Sequence, residues 1–216
     1  MDMAKEISRI SVDLDEKGLL QDLERYKEEA IRLGASRSRI VKAEEIPVDE
    51  RVPAKCQIPL CSSYGVSINC PPNTVKPEQV KRLLKKYSWA VFFTKDLPTE
   101  LLLREITNKE RKAAFQSIFK IVRALESKAF YDGHYLATGF AAGSCRRTFC
   151  DKHETCAVLE GKGCRIPLLA RPSMEAVGID VYKMATSAGW DIYPIGSHSE
   201  PEDTPSAVLA GIVIIA

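Results

Sequence analysis

The chain has 216 residues, 45% hydrophobic and 28% charged, the balance of a globular protein long enough to bury a core without cross-links. Its 31 basic and 29 acidic side chains leave a net charge of +2, which excludes a strong general pull toward nucleic acid or anionic membrane. No apolar run approaches the roughly 18 residues of a membrane helix, and Asp2, Lys5, Glu6 and Arg9 leave no apolar signal-peptide centre. The expected compartment is the cytoplasm, where thiols stay reduced and a cysteine-rich pattern points to metal or catalysis before disulfides.

In chain order, Leu19, Leu23, Tyr26, Ala30 and Leu33 recur at helical spacing, with Gly34 as a stop. A short strand is expected over Arg39–Ile46, then a loop from Pro47 to Pro77 rich in Pro, Cys, Ser, Gly and Asn. Pro77 suits the first turn of a helix running to about Tyr87. On it, Lys81, Arg82, Lys85 and Lys86 read as a solvated face opposite Val80, Leu83, Leu84 and Tyr87, in preference to a phosphate-binding patch. Trp89–Thr94 is a continuous apolar run of β-favouring residues and predicts a buried strand.

A long helix is expected over Lys109–Tyr131, with Phe115, Ile118, Phe119, Val122, Leu125 and Ala129 on one stripe and Gly133 closing it. Tyr135–Phe140 reads as a strand, and a second irregular stretch spans Ala141–Arg171. Pro172 then starts a helix through Ala188, followed by strand candidates Asp191–Ile195 and Val208–Ile215. This alternation predicts an α/β fold: one domain over residues 1–216, with a central sheet of about four to six strands flanked by helices. Two cysteine-rich loops, near 47–77 and 141–171, sit between strand and helix, where loops on a rigid frame carry function.

All seven cysteines fall in those loops, as Cys56-x4-Cys61-x8-Cys70 and Cys145-x4-Cys150-x5-Cys156-x7-Cys164. Convergence of thiolates on one inorganic core needs such clustering. Structural zinc prefers closely spaced pairs, so the looser spacings of the second group favour iron–sulfur over zinc. Cys70 is followed by Pro71 and Pro72, similar to the Cys-Pro ending of bacterial ferredoxin runs. Three thiolates in the first group suit a cluster with one open iron, or zinc completed by a histidine or carboxylate. The bland reading makes Cys56 and Cys61 buried small hydrophobes.

His153 is either a substitute ligand or an exposed loop residue, with the second favoured. His134 suits a helix-end capping role, and His198 lies in a polar turn. Arg146, Arg147, Lys162, Arg165 and Arg171 surround the second group, where cations stabilise a negative cluster; equally, Arg165 or Arg171 pairs with Glu160, Glu175 or Asp180. Donors from a helix start at Pro172–Glu175 would add to that field. Gly139, Gly143 and Ser144 read as a small-residue approach that lets backbone come close to a cluster. No phosphate loop, dinucleotide fingerprint or His-Glu-x-x-His is present.

The segments Cys56-Gln-Ile-Pro-Leu-Cys61, Tyr64-Gly65-Val-Ser67-x-x-Cys70-Pro71-Pro72, Gly143-Ser144-Cys145-Arg146, Cys164-Arg165-Ile-Pro167 and Ala170–Val181 resemble the family of predicted metal-binding proteins designated DUF2284. The resemblance implies metal binding through these cysteines, most plausibly as iron–sulfur, in anaerobic microbes, and implies no activity. It also implies a thiol where Thr148 stands.

The leading expectation is an iron–sulfur protein. Cys145, Cys150, Cys156 and Cys164 hold a [4Fe-4S] cluster, and Cys56, Cys61 and Cys70 form a second site, a possible second cluster, with a redox or substrate- and sulfur-handling role. Its partner is a redox protein or a small-molecule substrate, without nucleic acid or membrane. The alternatives are a structural zinc module without catalysis and a metal carrier. Loops 74 residues apart meeting in one joint site is a credible variant.

Overall fold

The structure, a computed structural model, describes residues 10, 15–103, 108–196 and 199–216. Helix α1 (Glu16–Arg32) begins where the Asp15 carboxylate accepts from the backbone N–H groups of Lys17 and Gly18. It buries Leu19, Leu23, Tyr26 and Ala30, and Gly34 ends it at φ +101°.

Strands β1 (Arg37–Lys42), β2 (Trp89–Leu97), β3 (Thr138–Phe140) and β4 (Ala207–Ile214) form one sheet in the order β1-β2-β4-β3. Every neighbouring pair is antiparallel. The mixed α/β class and a sheet of four strands agree with the sequence. β2 and β4 lie in the centre, registered from Ala90 opposite Ile214 to Leu97 opposite Ala207.

Successive residues of these central strands feed two separate cores. Val91, Phe93, Leu209 and Val213 pack toward α1 and the long helix α5 (Asn108–Tyr131). Ala90, Phe92, Ile212 and Ile214 pack on the other side, toward α3 (Pro77–Leu84) and α7 (Val181–Ser187). Two one-turn helices, α2 (Arg51–Ala54) and α4 (Glu100–Leu103), lie in the connections before α3 and α5. With both faces covered, neither strand needs polar alternation, which explains their continuous apolar runs. Phe92 and Phe93 are both fully buried on opposite faces, each worth about 2 kcal/mol of transfer energy.

Several expectations require correction. The strand expected to reach Ile46 ends at Lys42 and passes into a 3-10 turn, Ala43–Glu45. The α3 helix stops at Leu84, so Lys85 and Lys86 fall just past its end, and they and Lys81 and Arg82 are solvent-exposed as predicted. Tyr135 and Leu136 are exposed, and only Thr138–Phe140 pairs with β4. No helix starts at Pro172: Ser173 bridges Ala141 in parallel, a 3-10 turn covers Glu175–Val177, and Gly178 breaks it at φ +93°. The helix begins only at Val181, capped by Asp180 through the Lys183 N–H at 3.0 Å. Asp191–Ile195 is not a strand. Its neighbour Trp190 stacks on Phe92 at 5.2 Å, and Ile192 and Ile195 turn inward to line a cavity instead of joining the sheet.

Candidate metal centre

Backbone hydrogen bonds bring the two cysteine loops to one place. The Asp180 N–H donates to the Pro47 carbonyl at 3.0 Å, and Asp49 N–H to Gly178 at 2.8 Å. Ala141 N–H donates to Pro172 at 2.9 Å, and Met174 N–H returns to Ala141 at 3.0 Å. Residues 172–180 therefore stitch the start of the first loop to the start of the second. Gly178 is required there: an added Cβ would lie 2.9 Å from Pro77 Cγ at a positive φ.

In the second loop, Cys145 opens the short helix α6 (Cys145–Phe149) and Cys150 ends it. Cys156 immediately precedes the 3-10 turn Ala157–Glu160, which Gly161 closes, and Cys164 follows. All four cysteines line one small cavity, closed from the first loop by Ile68 and Asn69. Each thiol is free, and Cys145 is only 6% exposed.

The surroundings of these sulfurs are rich in donors. Ser67 Oγ lies 3.3 Å and Asn69 Nδ2 3.5 Å from Cys145 Sγ, and Ile166 N–H points at Cys164 Sγ at 3.4 Å. Burial works to raise the Cys156 thiol pKa, but the N–H groups of Ile68, Val158 and Leu159, with the Arg165 cation, bring it below the ordinary thiol value. Cys150 is pushed up by burial and by the neighbouring Cys145, Cys164 and Cys156, against the pull of Arg165. Its field thus registers all three other thiols of the group.

The first-loop cysteines differ in exposure. Cys70 is buried, Cys56 half-buried and Cys61 exposed, so burial as a small hydrophobe does not describe Cys61. Burial pushes the Cys56 thiol up to about 11, helped by Cys61 and Cys70. Cys70 is held by a tight loop in which Gly65 N–H donates to Pro71 at 2.7 Å and Asn73 Nδ2 to the Ser67 carbonyl at 3.2 Å. Its thiol donates to Ser144 Oγ at 3.5 Å, beside Cys145. The two groups therefore adjoin at Cys70 and Cys145.

A donor set of thiols, without a carboxylate or imidazole on the cavity wall, fits a sulfur-ligated metal centre. Among the described residues, no three Cys, His, Asp or Glu side chains converge closely enough for one metal ion. His153 is exposed, as expected, and its carbonyl accepts from Arg146 at 2.6 Å. His134 caps α5 through its backbone N–H, but its buried ring meets Asp22 Oδ2 at 2.9 Å, tying α5 to α1. His198 lies outside the described residues.

The cations sort differently from expectation. Arg171 pairs with Glu126 of α5, Nε to Oε2 at 2.8 Å, whereas Glu160 is taken by Lys162 at 2.9 Å. Arg165 donates to the Thr155 carbonyl at 3.0 Å and stands on the cavity wall. Gly139 and Gly143 are small for another reason than cluster approach: an added Cβ would meet Val122 of α5 at 2.3 Å and Phe115 at 2.6 Å. Thr148, at the position where the family resemblance implies a thiol, turns its hydroxyl back to the Ser144 carbonyl at 2.9 Å, and Cys150 takes the place on the cavity wall.

Sequence reasoning missed Ser67, Ile68 and Asn69 as parts of the second-loop site. Their only signal was proximity to Cys70, because loop-to-loop contact across 76–78 residues leaves no periodic trace.

No curated protein and no solved structure matches this chain. The sequence pattern described as "Predicted metal-binding protein (DUF2284)" matches residues 39–214, which takes in both loops and the whole sheet apart from the first two residues of β1. The chain belongs to the DUF2284 family of predicted metal-binding proteins.

Proposed function

We propose that this protein is an iron–sulfur protein in which Cys145, Cys150, Cys156 and Cys164 hold one [4Fe-4S] cluster. The observation that carries this reading is that four free thiols, Cys145, Cys150, Cys156 and Cys164, line a single cavity. Zinc draws its sulfurs in to about 2.3 Å from one centre. A four-iron core is held by four thiolates around a body larger than one ion, and the second loop brings four cysteines to one cavity wall.

Bound there by four thiolates, the cluster would supply one-electron transfer. The chain's own part is to hold the thiolates and tune them. Ser67 and Asn69 direct donors at the Cys145 sulfur, and the backbone of Ile68, Val158 and Leu159 does the same for Cys156. Arg165 adds positive charge beside the ring of sulfurs. Arg146 stands on the same wall, and Ile68, Val158, Ile166 and Ala170 give it apolar surface.

Cys56, Cys61 and Cys70 form an adjoining site with a redox or substrate- and sulfur-handling role, in which Cys61 is the accessible thiol. Seven free cysteines in two loops suit a reducing, cytoplasmic setting. Oxygen-free purification of the Cys61→Ser and Cys145→Ser variants tests the division. Cys145→Ser loses the second-loop cluster, whereas Cys61→Ser keeps it. Loss of all metal from Cys61→Ser contradicts a separate four-thiolate site.

A further inference from the structure

A larger cavity lies apart from the cysteine-lined one, with a volume of about 470 Å³, within the range of small-molecule sites. Leu209 of β4, Phe115 of α5, Val181 of α7 and Ile195 give it apolar walls. Glu175 and two tyrosines, Tyr182 and Tyr193, stand on the same lining. Glu175 is exposed to solvent on the cavity wall, and the protein around the cavity partly desolvates its carboxyl and raises its pKa. Among the described residues, its own backbone N–H and Ser173 work against that rise and no cationic side chain does.

We propose that this cavity binds a small organic cation, an ammonium compound with an apolar body, and that Glu175 is its counter-ion. A carboxylate on the wall of a largely apolar concavity attracts an incoming positive charge more strongly than one on an open surface does. The apolar walls take up the hydrocarbon part, and tyrosine rings attract cations electrostatically. An anion is repelled at this end. Among the described residues the cavity wall holds one arginine, Arg111, which stands where the cavity adjoins a second cleft that Cys61 and Arg147 line.

The position matters because the cavity reaches the cysteine loops. Gly143 lies on its wall two residues before Cys145, and the Cys56 thiol feels the Glu175 charge. A bound cation is therefore held next to the first cysteine group. The binding inference itself stands on the cavity alone and does not require a cluster.

Calorimetric titration of the whole protein, prepared without oxygen, with benzylammonium, benzyl alcohol and benzoate tests it, since the three probes share a ring and differ in charge. Benzylammonium is expected to bind at least about tenfold more tightly than the alcohol, with benzoate weakest. Glu175→Gln is expected to abolish the preference and leave alcohol binding unchanged. Equal affinities, tightest binding by benzoate, or a preference that survives Glu175→Gln overturns the proposal. Should the variant unfold on thermal melting, the charge series on the unaltered protein decides alone. Iron and sulfide assayed on the same preparation keep failure of the cluster reading separate from failure of this one.

Discussion

Cys145 is a point at which the two cysteine loops touch. It opens α6, lines the four-thiol cavity, and receives Ser67 and Asn69 from the other loop. Hydrogen bonds to a ligand sulfur raise a cluster's reduction potential. Ser67→Ala is therefore expected to make the potential more negative while iron content is retained, as followed by a redox titration monitored spectroscopically; an unchanged potential would mean that Ser67 only packs. Gly143 makes a second residue-level claim. Its φ is +68°, and an added Cβ would sit 2.6 Å from the Phe115 ring. Gly143→Ala should cost about 2–4 kcal/mol in denaturant unfolding, from backbone strain of about 1 kcal/mol and overpacking of about 1–3 kcal/mol. A loss of only about 1 kcal/mol would show that Phe115 moves aside freely and leaves only the backbone term.

Among the elements, α5 does more than fill the core. Its Glu126 accepts from Gly139 N–H at 2.6 Å and pairs with Arg171, which also donates to the Pro167 and Ala170 carbonyls at 3.2 and 2.8 Å. One carboxylate thus fixes both the strand that enters the second loop and the segment that leaves it. The pair is largely but not wholly buried, at 23% and 11% side-chain exposure, so breaking it costs less than a fully buried pair. Arg171→Met is expected to destabilise by about 1–3 kcal/mol. Hydrogen exchange should quicken over residues 141–171 while β2 and β4 stay protected; uniform quickening would make the pair a global clamp instead.

The elements also show what a sequence reveals. WAVFF and the apolar end of the chain were legible as strands because both lie in the middle of the sheet, where each face is covered. Strand order was not, since β2 pairs with β4 across more than a hundred residues and nothing local encodes that choice. The false helix at Pro172 followed a sound local rule. Tertiary pairing of Ser173 with Ala141 overrode it.

For the whole molecule, the grouping of thiols was readable from spacing, but their meeting was not. Cys70 reaches Ser144 across 74 residues only because residues 172–180 bond to both loops. Glu175 passed as a salt-bridge candidate, because its lack of a cation is a property of the folded cavity. Among the described residues, no helix is long and apolar enough to cross a membrane.

Chemical analysis of the protein purified without oxygen tests the central claim most directly. About four iron atoms and four acid-labile sulfides per chain, or twice that if the first loop also fills, are predicted, together with a visible absorption band that Cys145→Ser removes. A colourless protein holding zinc without labile sulfide would contradict it.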